Sequence, residues 1–258
     1  MGLRIVPHSH SFATVQKLNK YATILLYTST VISIGISLLG YFEVIPDLKT
    51  TLIGINILLI CMYVFLDNRA NYIFTKAEMK RRLDWLDNSF GTNFSGKKSQ
   101  NYYTNEHLSP GLYKLAVNCF ENSYHTQFII SKMLPAIIIQ TIVIVLVFIS
   151  SAYVGNREII RMFFELSLPA ILIQKLIKAL YFSSRINDVH DRLKLLFNDL
   201  MSFGFENKTA EALRDILEYE TALAWASTPL SSKIFFKFKD QLAADWEELK
   251  KQYQIKSP

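Results

Sequence analysis

Four apolar runs, arranged as two pairs around a charged central stretch, dominate the pattern of this chain. Tyr21 to Phe42 carries no charge, and at about 1.5 Å per residue a helix of that length reaches ~33 Å, enough to cross a hydrocarbon core of ~30 Å. Thr50 to Leu66 is also uncharged. Only Glu43, Asp47 and Lys49, around Pro46, interrupt the apolar sequence between these two runs, so the pair predicts a helical hairpin with a short turn. Met133 to Asn156 is the strongest run, dense in Ile and Val. Met162 to Phe182 is weaker, because Glu165, Lys175 and Lys178 fall within it. The pattern predicts an all-α polytopic membrane protein with four transmembrane helices. Its divisions are an N-terminal segment (1–20), a first transmembrane hairpin (21–66), a helical-hairpin insertion (67–132), a second transmembrane hairpin (133–183) and a helical C-terminal domain (184–258).

Outside the apolar runs the period stays helical. No Gly or Pro occurs between Leu66 and Phe90, so the second helix is expected to continue to Ser89, with Tyr72, Met79, Leu83, Leu86 and Phe90 at helical spacing. Gly91 to Gly111 changes to Gly, Ser, Asn and Lys with two tyrosines, and Ser109-Pro110 marks the next helix start. In the C-terminal part, three stretches each carry one apolar stripe: Val189 to Leu200, Thr209 to Trp225 and Pro229 to Tyr253. Packing against the insertion and contact between subunits both account for such stripes.

Half of the residues are hydrophobic, and the net charge of +6 belongs largely to the polar segments. Arg4, Lys17 and Lys20 precede the first run without an acid, and Arg69, Lys76, Lys80, Arg81 and Arg82 follow the second. By the positive-inside rule both termini and the insertion are cytoplasmic, and the cations nearest the spans are expected to touch anionic membrane lipid. The first apolar run is too long for a signal-peptide core and lacks a small-residue cleavage pattern, so it is expected to remain as an anchor. Two cysteines, Cys61 and Cys119, give neither a disulfide framework nor a metal cluster.

No catalytic constellation stands out. The five histidines lack paired zinc-helix spacing, and there is neither a phosphate-cradling Gly-rich loop nor a nucleophile elbow; no cofactor and no metal are expected, and the chain is not expected to be an enzyme. Asn118, Glu121, Asn122 and His125 share one helix face, which suits an interhelical polar face or a ligand-facing wall. Lys97, Lys98, Tyr102 and Tyr103 are a binding candidate, because ammonium groups neutralise phosphates while tyrosine rings stack on bases. Lys80, Arg81 and Arg82 form a second basic cluster. Inside the apolar runs, Ser29, Ser33 and Ser37 line one side of the first, as close packing or a wet pore wall would require. Gln174, Lys175 and Lys178 form a polar strip on the fourth. Either the lysines snorkel to the interface or the strip lines a conduit.

Three short blocks carry a resemblance: Leu83-Asp84-Trp85-Leu86-Asp87-Asn88-Ser89-Phe90-Gly91, Asn101-Tyr102-Tyr103-Thr104-Asn105 and Asn118-Cys119-Phe120-Glu121-Asn122. With the two hairpins and the helical tail, they resemble the four-transmembrane effectors of bacterial antiphage systems of the CBASS type and the related channel effector of the Hailong system. The resemblance implies an oligomeric pore in the bacterial inner membrane that depolarises the infected cell. It further implies control by a nucleotide or short oligonucleotide made by a partner nucleotidyltransferase. A membrane scaffold recruiting a soluble partner through its helical cytoplasmic domain is the alternative expectation.

Overall fold

The structure, a computed structural model, describes residues 6–41, 46–97, 99, 102–154 and 159–255, without the side chains of 37–41, 46, 148, 151–154 and 159–169. Among the described residues it is all-helical: α1 (Ser9–Tyr41), α2 (Pro46–Phe90), α3 (Leu112–Val154), α4 (Ile159–Leu200), α5 (Thr209–Ala226) and α6 (Ser232–Gln252), with a 3-10 turn at Phe205–Lys208. Helix α2 starts on Pro46, whose missing N–H costs nothing in a first turn, with Asp47 beside it at the positive end of the helix dipole. It ends at Gly91, which at φ 72° takes the left-handed conformation that lacks a Cβ penalty and returns its N–H to the Asp87 carbonyl at 2.9 Å. Helix α6 is opened by Ser231, whose hydroxyl accepts from the Ile234 N–H.

Two long helices, α2 and α3, carry stretches apolar enough to cross a membrane. The apolar runs assigned to α1 and α4 include residues whose side chains are outside the described set, at 37–41 and 159–169. One sequence expectation needs correction. Val189 to Leu200 is not a separate helix but the end of α4, which runs unbroken because Phe182, Ile186, Val189, Leu193 and Phe197 keep one buried face in register through it.

The chain forms two compact units. Unit 1 comprises residues up to Phe12, Phe74–Met133 and Ala179–Pro258; unit 2 comprises Ala13–Ile73 and Leu134–Lys178. In unit 1 the insertion and the C-terminal helices share one core. Trp85 on α2, Leu115 and Phe120 on α3, Phe182, Ile186, Leu193 and Phe197 on α4, Ile216 and Tyr219 on α5 and Trp246 on α6 belong to one cluster. At its centre the Phe120 ring stacks on Phe197 (5.0 Å, 12°) and meets Trp246 edge-on (5.5 Å).

Unit 2 has a small apolar cluster of Ala22, Leu26, Tyr63 and Ile144, with Leu25, Leu66, Ile171 and Leu172 against it. Its buried positions also include Ser29, Thr30, Ser33, Asn56 and Thr141, while Val31, Leu58, Phe65, Ile139, Leu146 and Ile149 are exposed. In the most apolar stretches of α2 and α3 only 11% and 22% of residues are buried. The helices of a soluble core would show the opposite.

Candidate functional site

The strongest concentration of polar geometry lies in unit 1, where the end of α2 meets the 91–111 loop. Asp84 and Asp87 stand one helical turn apart and so face the same side. Both are buried, and both carboxylates are acceptors for the loop. Asp87 receives Thr92 Oγ1 at 2.7 Å and the Phe94 and Ser95 N–H groups at 2.6 and 2.7 Å. Asp84 receives the Ser99 N–H at 2.8 Å, Ser99 Oγ at 2.5 Å and the Tyr103 hydroxyl at 3.2 Å. His8, just ahead of α1, puts Nδ1 3.9 Å from Asp84; its burial pushes its pKa down, against the pull of Asp84.

A second layer joins the loop to α3. The Asn118 amide donates to Asn88 Oδ1 at 3.0 Å and to Ser89 Oγ at 3.2 Å, and its carbonyl accepts from Asn105 Nδ2 at 3.0 Å. Glu121 accepts from Thr104 and Asn105 at 2.7 and 2.8 Å, and Asn88 donates to Glu106 at 2.7 Å. Burial raises the Glu121 pKa, against those two hydrogen bonds. The three blocks quoted from the sequence are thus parts of one network that folds the loop onto its two helices. Sequence reasoning quoted Asp84 and Asp87 without giving them a role. Two acids at i, i+3 immediately before a glycine-rich loop were the available signal.

Burial alone would raise the Asp87 pKa, but the hydrogen bonds from Ser95, Thr92 and Phe94 outweigh it and hold it at about 2, below its ordinary 3.8. A depressed carboxylate stabilises the fold above its unfolded-state pKa and loses that contribution as pH falls through the folded one. The stabilisation, on the order of 2 kcal/mol, is therefore expected to be complete above pH 3.8 and to fade toward about pH 2. Asp87→Asn should flatten the acid limb of a stability-versus-pH curve over that window. An unchanged acid limb would mean that the carboxylate does not hold the loop.

The candidate ligand residues divide sharply. Arg81 and Arg82 are turned inward: Arg81 bonds Glu78 at 2.8 Å and Glu220 at 2.7 Å, and Arg82 Nε reaches Glu220 at 2.6 Å. Both candidate cations are thus ion-paired to α5, Arg82 with its side chain still 35% exposed. Lys80 and Lys97 are exposed, and Lys98 lies outside the described residues. Tyr102 and Tyr103 pack edge-on against each other at 4.8 Å, with Tyr102 also edge-on to His8 at 6.1 Å. Through the Tyr103 hydroxyl on Asp84 the pair braces the loop. On the polar face of α3, Asn118 and Glu121 serve the network. His125 is held neutral, its pKa pushed to about 4 by burial against a hydrogen bond at Leu242.

In unit 2, Ser29 Oγ donates to Asn56 Oδ1 at 2.5 Å and Asn56 Nδ2 donates to Ser33 Oγ at 2.8 Å. The serine stripe of α1 is thereby hydrogen-bonded to α2; the Ser37 side chain lies outside the described residues. On α4, Gln174 is exposed, Lys178 is half-buried, and Lys175 Nζ sits 3.4 Å from Asp67 and 5.2 Å above the Tyr63 ring. Asp67 went unassigned in the sequence, since nothing local connects it to Lys175.

Among the described residues no group of three His, Cys, Asp or Glu is arranged to hold a metal. Ser123 Oγ lies 3.0 Å from His190 Nδ1, a separation that would suit an activated nucleophile. The two are 0% and 1% exposed, however, and Ser123 donates to the Phe120 carbonyl at 2.8 Å. Burial pushes the His190 pKa to about 4, so a neutral ring completes a core hydrogen bond that no substrate reaches. Compared with protein-family models, curated proteins and solved structures, the chain finds no match.

Proposed function

We propose that this chain is a four-span membrane protein that assembles into an oligomeric ion channel, with unit 1 and both termini in the cytoplasm. The observation that carries the reading is the inverted burial of unit 2, with Ser29, Ser33 and Asn56 hydrogen-bonded inside and Leu58, Phe65, Ile139 and Leu146 outside. Lipid, unlike water, favours large apolar side chains on the outside and requires polar groups to be satisfied within. A single chain has few helices with which to enclose a water-filled path, so several copies around an axis are expected. The resemblance to four-transmembrane antiphage effectors supplies the setting: depolarisation of the bacterial inner membrane under control of a nucleotide or oligonucleotide signal.

Within this reading, Gln174 and Lys178 on α4 are the positions for the water path. Ser29 and Ser33 serve helix packing, and the charge of Lys175 is offset by Asp67. Lys80 and Lys97, both exposed, are the cations offered to an anionic signal, with Lys98 next to Lys97 in the sequence. A second reading, a membrane scaffold, draws on Leu213 and Leu217 of α5, which are exposed on unit 1.

Ion flux through the purified protein in liposomes, without and with cyclic and linear oligonucleotides, separates the two. A conductance is expected, and Lys178→Glu should move its reversal potential toward cation preference under a salt gradient, because a ring of charge at a pore mouth sets selectivity. An unchanged reversal potential removes Lys178 from the path. No conductance under any ligand rejects the channel in favour of the scaffold.

A further inference from the structure

The corner between α5 and α6 carries chemistry that the channel reading does not use. From Thr221 to Lys239 the sequence contains no acid, yet it holds Lys233, Lys237 and Lys239. On α3 the stretch from Asn122 to Val154 is equally free of acids and contributes Lys132. Lys132 Nζ lies over the Phe128 and Phe238 rings at 5.4 and 5.9 Å, and Lys237 lies over Phe238 at 5.3 Å. Lys233 and Lys239 are exposed, and among the described residues none of the four pairs with a carboxylate; the nearest acid along the chain is Asp240. Lys233, Phe236 and Lys237 fall at i, i+3 and i+4, on one helix face. Phe236 there is 67% exposed. An aromatic ring left in water between uncompensated lysines has no account in the packing of unit 1.

Two contacts give the corner its position within unit 1. The Ser231 N–H lies 3.4 Å from the Met133 sulfur, and Met133 is the last residue of unit 1 on α3 before the apolar run from Leu134. The Trp225 ring lies 4.3 Å from that of Tyr181, just after Ala179, where α4 passes from its apolar run into unit 1. Both rings are about half exposed. Trp and Tyr at the ends of spans, with lysines beside them, are the composition that settles in the headgroup layer of a bilayer.

We propose that the α5–α6 corner, through Trp225, Phe236 and Lys233, Lys237 and Lys239, binds the headgroup layer of an anionic bilayer. The inference rests on the membrane reading of unit 2. It makes the C-terminal helices a lipid-contacting part of the protein and couples their position to the anionic lipid content of the inner leaflet.

The test uses the full chain reconstituted in phosphatidylcholine vesicles, alone or with about one-third phosphatidylglycerol, each lysine at such a surface adding about a fivefold preference. In a Cys61→Ser/Cys119→Ala background, a fluorophore is attached through Phe236→Cys, Glu248→Cys or Ile142→Cys. Quenching by headgroup-labelled and mid-chain-labelled lipids is then read. The Phe236→Cys label should be quenched by headgroup-labelled lipid in the anionic vesicles, about threefold or more above the Glu248→Cys label, ~18 Å along the same helix. With Lys233→Gln/Lys237→Gln/Lys239→Gln, quenching should fall to the level seen in phosphatidylcholine alone. If the Ile142→Cys label is quenched by mid-chain lipid while the labels at positions 236 and 248 respond alike, the corner does not bind the bilayer and the membrane reading survives. If the Ile142→Cys label is not quenched either, both readings are overturned.

Discussion

Glu220→Ala is expected to destabilise unit 1 by about 3 kcal/mol, because breaking a buried ion pair leaves its partner charge uncompensated. Glu220 on α5 is the acceptor for both Arg81 and Arg82 of α2, and the Arg81 and Glu220 side chains are only 14% and 15% exposed. Burial opposes the charge on Arg81, yet Glu78 and Glu220 together raise its pKa, so it stays cationic at any working pH. After the substitution it keeps Glu78 alone. Removing the buried charges together with Glu78→Leu/Arg81→Met/Glu220→Leu should recover most of the loss, since buried pairs replaced by apolar groups of similar size are often neutral and Arg82, 35% exposed, can turn to water. The reporter is intrinsic: all three tryptophans, Trp85, Trp225 and Trp246, lie in unit 1, two of them in its core. Thermal unfolding of the full chain in detergent, followed by their fluorescence, gives the midpoints. A single variant that unfolds with the wild type would mean that the pair is solvated. Increased affinity for an anionic oligonucleotide in that variant would mean that Glu220 competes with such a ligand for Arg81 and Arg82.

Phe120→Ala should cost about 3–5 kcal/mol, the range for deleting a buried aromatic ring and leaving part of its volume empty. Phe120 is fully buried, and its ring meets Phe197 and His190 of α4, Trp246 of α6 and Tyr253 beyond it. It is therefore the side chain through which the insertion and the C-terminal helices become one body. Phe120→Leu, which keeps more of the volume, should cost distinctly less. The Trp246 environment should change with the alanine variant, as that ring loses its edge contact. A wild-type midpoint for Phe120→Ala, with unaltered Trp246 emission, would mean that the insertion folds independently of the C-terminal helices.

The continuation of the second apolar run to the end of α2 at Phe90 was legible from the sequence, because an uninterrupted helical period and a closing glycine are local signals. So were the loop after Gly91, the start of α3 and the positions of α5 and α6. The start of α2 at Pro46 falls in the expected turn, ahead of Thr50. The join of α4 was missed because the charged residues around Arg185 to Asp188 look like a boundary, although the buried face from Phe182 to Phe197 continues through them. The candidate site was legible as three blocks and illegible as a mechanism. Lysines and tyrosines in a polar loop have the same composition whether they bind phosphates or, like Tyr103, brace a buried carboxylate.

What the sequence by itself determined is what depends on neighbours along the chain: the helices, their apolar stretches and the polar loop between them. Hydropathy and periodicity are sums over a few consecutive turns, and no distant residue alters them. Only the tertiary structure decided the pairings, because they join residues far apart in sequence. Arg81 meets Glu220 across 139 positions, Ser29 meets Asn56 across 27, and Lys175 meets Asp67 across 108. That Arg81 and Arg82 share Glu220 is settled only when another helix delivers that carboxylate. The requirement that buried charges and hydroxyls find partners is general, but which residue satisfies it is set by how the helices pack.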